Sequence, residues 1–564
     1  MQKAVPVLAL FLLGWVVRLL FVSASPDGLG PFSPFYKGDA PLWLAYAASL
    51  QQGQPFALEL GLPLRPPGNA WLVDVLWDGT VEGLPGLRGA YTLLGACAVP
   101  LTFVVACRLG RLVACVAAAL VAVSFGSIQL AASPNVEAPY QLLALGTLWA
   151  AQVARGRRSL GWWALLGLVL GAGCLFRAEH ALLGAGLLAW AWAGTTRGTP
   201  RRMVWARLGC ALGVASVVLV PWHLDAWARV AAFNRMESPL RSARTLPWTE
   251  EAVAAIDALP GFARADAQRL IEETARHRRT FAVSLAEVAV LDEAFGWRPE
   301  PLPEAFFVAL YGPLNFYLAQ TVGPGFGRDA LEVLPPLDGG RDRYPPGWLG
   351  SLPPPGGLSL SYPPHLRPLL HGYRDGLAVL LRDPQGALAT TMQKLWRGLR
   401  GATAGIGGLD LPGSGPLVRH RVDQAVSTSV VANLWSVALL AAAIVGLWRG
   451  RGRMEELAPF LWWGAAGLAV VALFFGYARL GALLTPIVGV LLGLAVEPLA
   501  LRAPRGALWG SLVLLLAVLA IETGRWWRGV RIFVDGAEVK TVEPWPPLEF
   551  EDRQLTVRSP DQEG

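Results

Sequence analysis

Charge is what this sequence has least of. Only 16% of its 564 residues are Asp, Glu, Lys or Arg, and 54% are hydrophobic, whereas a soluble domain carries roughly a quarter charged residues. That excludes an ordinary soluble enzyme. The same apolar content, with a mean hydropathy of +0.42, excludes a disordered or collagen-like chain despite 63 glycines and 44 prolines. Cysteine is scarce too. Cys97, Cys107, Cys115, Cys174 and Cys210 all lie in or beside apolar runs. They show neither a disulfide framework nor metal-ligand spacing and read as small buried residues. No His/Cys/Asp set has metal-ligand spacing either, so no metal and no cofactor is expected. No internal repeat is visible. The net charge of +7 would suggest nucleic acid in a soluble protein. Here the basic residues sit in short clusters between apolar runs, which is a topological signal, and no nucleic-acid partner is expected.

What is present is a series of long apolar stretches. A spanning helix needs about 20 predominantly apolar residues. Eleven stretches qualify: Val5–Ala24, Leu87–Cys107, Leu112–Ala132, Tyr140–Ala154, Leu160–Phe176, Ala181–Gly194, Val204–Leu224, Ser427–Trp448, Leu457–Phe475, Leu480–Leu501 and Ala507–Thr523. The fourth and sixth are short and need lengthening by their neighbours. Val22-Ser23-Ala24 also resembles a signal cleavage site. Arg18 within the run and the apolar chain downstream favour an anchor. With the N-terminus cytoplasmic, alternate loops are basic: Arg108/Arg111, Arg155/Arg157/Arg158, Arg197/Arg201/Arg202/Arg207, Arg449/Arg451/Arg453 and Arg502/Arg505. This alternation orients the chain.

The expectation is an all-α polytopic membrane protein with about eleven transmembrane helices. Residues 1–224 form a seven-span bundle with a first outer loop at 26–86, and 225–426 an outer segment. A four-span bundle follows at 427–523, then an outer tail at 524–564. Within the outer segment, Thr249–Val290 has apolar residues at helical spacing and reads as amphipathic helices. Glu304–Thr321 is apolar enough to dip into the membrane surface. Gly323–Pro364 is a Pro/Gly-rich irregular loop. Leu366–Leu381 and Gln385–Leu399 are helical, divided at Arg382-Asp383-Pro384. In the tail, Ile532-Phe533-Val534, Asp535-Gly536 and Val539-Lys540-Thr541 carry a hairpin signal.

Charged groups at membrane depth are costly and mark function. A transporter would place them near the midplane, on paired broken helices. Here Asp39, Arg65, Glu137, Arg177, Glu179, His180 and Arg479 lie at or just beyond the outer ends of spans. Four connections thus bring ionisable groups to one face, where a substrate with a lipid tail and a polar head would sit. Asp39 precedes Ala40-Pro41 and is placed to cap a helix with Pro in its first turn. That helix has Trp43, Ala47 and Leu50 on one face, as for an element on the membrane surface. Arg65 stands before Pro66-Pro67 on extended backbone, where its side chain could meet an anionic head group.

These residues carry a family resemblance. Asp39-Ala40-Pro41 opening a helix after the first span, then Arg65-Pro66-Pro67, resembles the protein O-mannosyltransferase and aminoarabinose transferase superfamily. These are GT-C-fold enzymes using polyprenyl-phosphate sugars. Further matches run in order. Pro134-Asn135-Val136-Glu137-Ala138-Pro139-Tyr140 is similar to the family's acidic start of the fourth span. Leu166-Gly167-Leu168-Val169-Leu170-Gly171 through Phe176-Arg177-Ala178-Glu179-His180 is similar to its glycine-rich span and Thr-Arg-Pro-Glu-like turn. Val220-Pro221-Trp222 with Phe233-Asn234-Arg235 resembles its Pro-Trp turn after the seventh span. Asp383-Pro384 through Lys394-Leu395-Trp396 resembles its Lys-containing helix, and Phe475-Gly476-Tyr477-Ala478-Arg479-Leu480 with Pro486 its Arg-Tyr-Arg-Leu-Pro link. The likeness covers about 1–235 and 375–500. It departs where the family's paired acids become Asp39-Ala40, where Ala178 replaces a Pro, and across 240–370.

The resemblance implies transfer of a sugar from an outward-facing polyprenyl phosphate to a protein, lipid or glycan acceptor. The site would lie on the outer face of a bacterial inner membrane. Such a transfer needs a base for the acceptor hydroxyl, and inversion requires one carboxylate. Asp39 is the candidate base and Glu137 the second acid; each also reads as a helix cap. Arg65, Lys394 and Arg479 are candidates for the lipid phosphate. Lys394 also reads as a snorkelling group. Arg177, Glu179 and His180 complete the substrate-binding set, or form a structural cluster. A transporter or flippase for a polyprenyl-linked sugar and a non-catalytic scaffold remain as alternatives, with an oligosaccharide polymerase or ligase nearer at hand.

Overall fold

The computed structural model describes residues 5–23, 39–54, 61–157, 159–195, 200–235, 244–259, 261–277, 279–280, 282–289, 301–304, 306–321, 363–405 and 430–502, with short strands between 532 and 555. The eleventh expected span, Ala507–Thr523, and nearly all of the Gly323–Pro364 loop lie outside these residues.

The other ten apolar stretches are helical. The first half of the chain gives α1 (Val5–Ser23), α2 (Ala40–Gln51), α3 (Gly68–Leu76), α4 (Leu84–Ala106), α5 (Arg111–Val123), α6 (Phe125–Leu130), α7 (Glu137–Gly156), α8 (Leu160–Phe176), α9 (His180–Thr195) and α10 (Arg201–Arg235). The outer segment gives α11 (Glu250–Asp257), α12 (Gly261–His277), α13 (Gly312–Thr321), α14 (Pro363–Arg382) and α15 (Pro384–Ala404). Then come α16 (Val430–Arg449), α17 (Met454–Leu473), α18 (Ala478–Ala482) and α19 (Thr485–Arg502). In the tail, β1 (Ile532–Val534) pairs antiparallel with β2 (Ala537–Val539), and β3 (Phe550–Glu551) with β4 (Gln554–Leu555).

Leu84–Leu109, Arg201–Arg235 and Asn433–Leu473 are long and apolar enough to cross a bilayer, by length and composition. With the apolar content, this makes the chain an integral membrane protein. Its main core joins α4, α5, α7, α8, α9, α17 and α19 through Val99, Val113, Leu148, Trp163, Leu187, Phe460 and Val490. A second core includes Leu62, Leu64, Phe233, Ile256, Ile271, Leu310, Leu314 and Leu369. A third packs α2 and α3 against the start of α4, the end of α8 and the interior of α10 at Trp222 and Ala226.

Four expectations are corrected. The third stretch is not one helix: α5 and α6 break at Ser124, where ψ is 126°. Pro221-Trp222 makes no turn, because α10 runs unbroken for 35 residues. At about 1.5 Å per residue it outreaches the roughly 30 Å hydrocarbon layer, and its far end carries Val230 and Phe233 into the second core. Glu304–Thr321 does not lie on a surface, since Leu310, Leu314 and Leu318 are buried there. Nor does α2 show an apolar face outward: Trp43, Leu44, Ala45, Tyr46 and Ala47 are all buried. Its apolar residues cover nearly the whole circumference, which marks a helix enclosed by protein.

The break after α5 explains the buried Arg18. Breaking a helix leaves its last carbonyls without N–H partners. The Arg18 guanidinium donates to the carbonyls of Val121 at 3.0 Å and Ala122 at 3.1 Å, and to Gly14 in its own helix at 2.9 Å. Replacing it with leucine would orphan the two α5 carbonyls, at about 1–3 kcal/mol for each buried group left unsatisfied. Arg18→Leu is therefore expected to lower the thermal unfolding temperature of the detergent-solubilised protein. An unchanged temperature would show that Arg18 does not hold the break.

Candidate functional site

Two helices begin with an aspartate at the N-cap and a proline in the first turn. Asp383 precedes Pro384, and its Oδ1 accepts from the Gly386 N–H at 2.9 Å, capping α15. Asp39 stands at the equivalent position before α2, yet its side chain accepts no hydrogen bond from the helix. The expected cap is not made. The carboxylate turns instead to two arginines: Arg479 Nη2 donates to Oδ2 at 2.9 Å, and Arg65 Nη1 lies 3.5 Å from Oδ1. Paired charges stabilise this carboxylate more than one helix N–H does.

The pairing needs four inter-helix connections at one place, and the packing supplies them. Arg65 is set by backbone bonds of the first loop to the outer segment: Leu310 N donates to Pro63 O and Tyr311 N to Leu64 O, both at 3.1 Å. Its guanidinium lies 5.1 Å from the Tyr311 ring centroid and 5.9 Å from that of Trp43. Asn69 ties α3 to the next connection by donating to Pro134 O at 3.0 Å, and it accepts from the Tyr91 hydroxyl at 2.7 Å. That places Glu137 at the start of α7. Arg479 is positioned by α18 crossing α15 at backbone contact. A Cβ on Gly481 would stand 1.6 Å from Gly398 O, and one on Gly401 1.8 Å from Ala478 O. Only glycine permits this approach.

Glu137 is the most deeply buried member, 2% exposed. Its Oε1 is 3.4 Å from Arg479 Nε and 3.4 Å from Arg177 Nη1, while its buried Oε2 has no hydrogen-bond partner. Arg177 Nε donates to Glu179 Oε1 at 2.5 Å, and its guanidinium lies 5.4 Å from the Tyr140 ring centroid. Arg479 is 4.8 Å from that of Tyr477. Asp39, Glu137 and Glu179 thus face Arg65, Arg177 and Arg479 in one connected cluster whose formal charges cancel. Burial pushes the Asp39 carboxyl up, but the Arg479 and Arg65 charges prevail and hold it down at about 2. An apolar cleft opens beside the cluster, lined by Tyr140, Glu179, Leu183, Trp463, Gly467 and Leu484 among others.

Two expected members stand apart. His180 is fully buried in the bundle, its Nε2 3.0 Å from Thr147 Oγ1 and its ring edge-on to Tyr140. Lys394 neither snorkels nor joins the arginines. It is 1% exposed and its Nζ donates to Ala319 O at 2.7 Å, near the end of α13. Its stem packs against Gly476, in the link that carries Arg479. The rings of Tyr311 and Tyr477 were not among the expected site residues. Tyr477 had a signal, two residues from Arg479; Tyr311 had none.

Residues 65–222 match the family model for dolichyl-phosphate-mannose-protein mannosyltransferase. The resemblance read from the sequence motifs, to the polyprenyl-phosphate-sugar glycosyltransferases of the protein O-mannosyltransferase and aminoarabinose transferase superfamily, stands. The matched region contains Arg65, Glu137, Arg177, Glu179 and His180; Asp39, Lys394 and Arg479 lie outside it. Among solved structures, the chain is similar to the apo oligosaccharyltransferase of Archaeoglobus fulgidus, at 12% identity and a TM-score of 0.45, over 93% of this chain and 56% of that one. It therefore spans little more than half of that enzyme's length. It is also similar to ArnT from Cupriavidus metallidurans bound to undecaprenyl phosphate, at 14% identity and a TM-score of 0.32, over 88% of this chain and 78% of that one. No curated protein matches the chain.

Burial lowers Lys394 to about 8. A base whose folded pKa is depressed disfavours folding while the unfolded chain is protonated and the folded one is not. Between about pH 8 and the ordinary lysine value near 10.4, the unfolded state binds more protons, so this group's contribution to stability rises with pH. The wild type is expected to gain stability relative to Lys394→Met between pH 7.5 and about pH 10, read from paired thermal unfolding curves. A flat difference would place the ammonium in a wetter setting.

Proposed function

We propose that this chain is an integral-membrane glycosyltransferase that moves a sugar from a polyprenyl-phosphate donor to a hydroxyl of a protein, lipid or glycan acceptor. The observation that carries this reading is Asp39: a carboxylate in a capping position that makes no cap and is held between Arg65 and Arg479. Those three groups are what such a displacement requires. The acceptor oxygen attacks the anomeric carbon, the bond to the phosphate oxygen breaks, and the acceptor proton passes to a carboxylate. Arginines stabilise the charge that develops on the departing phosphate. The cleft beside Glu179 offers an apolar wall for a lipid chain, and the family match over 65–222 supports the donor class.

On this reading the cluster faces outward from a bacterial inner membrane, with the N-terminus cytoplasmic and eleven spans. The basic alternate loops support that orientation. In a cysteine-free background, single cysteines at Gly156 and Gly450 should be shielded from an impermeant thiol reagent in intact cells, while one at Ser351 should label. Labelling of the first pair would overturn the topology.

The chemical assignment is tested by transfer of labelled sugar from polyprenyl-phosphate mannose, and from related donors, to a panel of acceptors by purified protein. Because Asp39 makes no cap, Asp39→Asn should keep its unfolding temperature. Loss of a general base removes on the order of 10²–10⁴ in rate, so turnover should fall at least about a hundredfold. Near-normal turnover in Asp39→Asn would remove Asp39 as the base and pass that role to Glu137. Donor movement across vesicles without any acceptor would favour a transporter instead.

A further inference from the structure

The cluster presents two difficulties for the proposed reaction, and both arise from the same contacts. As it stands it has three carboxylates for its three arginines, so it offers an incoming phosphate no net charge. The carboxylate assigned to take the acceptor proton is ion-paired on both oxygens. Held down at about 2, it is a weak base at neutral pH, whereas a general base works best with a pKa near the operating pH.

One rearrangement resolves both. We propose that Arg65 and Arg479 are exchangeable partners: they hold Asp39 in the empty site and pass to the phosphate of the donor when it binds, which frees Asp39 to accept a proton. This rests on the glycosyl-transfer reading and adds to it an order of events, donor before acceptor. Four observations carry it. First, both arginines are partly exposed, at 22% of the side chain, as is Asp39 at 25%; a ligand can reach the pairs. Second, each guanidinium lies against aromatic rings, Arg65 beside Tyr311 and Trp43 and Arg479 beside Tyr477. Ring contacts support a guanidinium without fixing which anion its N–H groups face. Third, Glu137 is buried behind Arg479 and Arg177 and stays as their counter-ion when Asp39 is released. Fourth, Asp39 holds no hydrogen bond from α2, so releasing it breaks no helix cap. The charged and titratable groups facing Asp39 are Arg479, Arg65 and Arg177, with Glu137, Tyr477 and Tyr311 around those arginines.

Linkage makes the exchange measurable. If bound phosphate raises the Asp39 pKa, neutralising Asp39 must tighten phosphate binding by the same factor, about tenfold for each pKa unit. The experiment uses the full chain in detergent, with farnesyl phosphate as a short polyprenyl phosphate and inorganic phosphate as the second arm. Calorimetric titration of wild type and Asp39→Asn gives the affinities. Infrared spectra with ¹³C-labelled aspartate follow the carboxylates, and the band lost in Asp39→Asn identifies Asp39. We expect Asp39→Asn to bind farnesyl phosphate about tenfold more tightly, and the wild-type band to protonate at least about one pH unit higher when farnesyl phosphate is bound. Inorganic phosphate should shift it less.

If farnesyl phosphate binds and the band does not move, the exchange is overturned while the donor site stands. An equal shift with inorganic phosphate overturns the donor as trigger. Absence of any farnesyl phosphate binding to wild type overturns the proposed function, and the exchange with it. If Asp39→Asn fails to fold, Asp39→Glu supplies the assignment, because it keeps the charge and removes the Asp39 band from the ¹³C-aspartate spectrum.

Discussion

The pair formed by Asp39 and Arg479 is the interaction around which the rest of this site is arranged. It joins the first outer connection to the link before α18 across 440 residues of sequence. Removing either partner would leave the other with one longer ion pair, Asp39 with Arg65 at 3.5 Å or Arg479 with Glu137 at 3.4 Å. Glu137 depends on it next. Its buried Oε1 looks to Arg479 and Arg177, and a carboxylate at that depth persists only with such partners. The pair in turn depends on the glycine crossing of α15 and α18, because a side chain at Gly401 or Gly481 would push α18, and Arg479 with it, off its track.

The two ends of the bundle use arginine differently. At the end away from the cluster, Arg155 donates to Trp190 O at 2.6 Å and pairs with Glu455, Arg453 pairs with Glu497 at 2.8 Å, and Arg108 donates to Gln152 O at 2.6 Å. These arginines tie neighbouring helices together near their ends, through a backbone carbonyl or a glutamate of the adjacent helix. At the cluster end, Arg65 and Arg479 meet carboxylates and rings. A guanidinium bonded to a backbone carbonyl has a fixed partner, since the carbonyl cannot leave its helix. One bonded to an exposed carboxylate has a partner that another anion can replace.

How far the sequence reveals this follows from the range of the forces involved. Helices were legible because their signals are local: apolar runs, Thr249 capping α11 through the Ala252 N–H, Asp383 capping α15. The gathering of Asp39, Arg65, Glu137 and Arg479 at one end was legible from the alternation of basic loops, which places every second connection on the same side. What was not legible depends on partners far along the chain. Asp39 and Asp383 carry the same local signal, and only the distant Arg479 draws one away from its cap. Likewise the run Leu112–Ala132 reads as one span because Ser124 and Gly126, the weak helix formers in it, are tolerated inside an apolar helix. The break at Ser124 is stabilised by Arg18, about a hundred residues earlier. Lys394 looked like a phosphate ligand by charge and motif, but its ammonium is occupied by α13, in a part of the chain with no recognisable pattern.

The balance of charge in the cluster has a consequence for selectivity near a membrane. Three uncompensated arginines beside an apolar cleft would attract any anionic lipid head group, and the attraction would be little screened where the groups are partly buried. Matching them with Asp39, Glu137 and Glu179 removes that general attraction. An anion must then displace a carboxylate to gain an arginine, at the cost of the existing ion pair. A simple phosphate offers only charge for charge. A ligand that also places an apolar chain in the cleft lined by Leu183, Trp463 and Leu484 adds roughly 25 cal/mol for each square ångström of apolar surface it buries. On the proposed reading, a neutral cluster of this kind favours a phosphate that carries its own hydrophobic anchor over a simple anion.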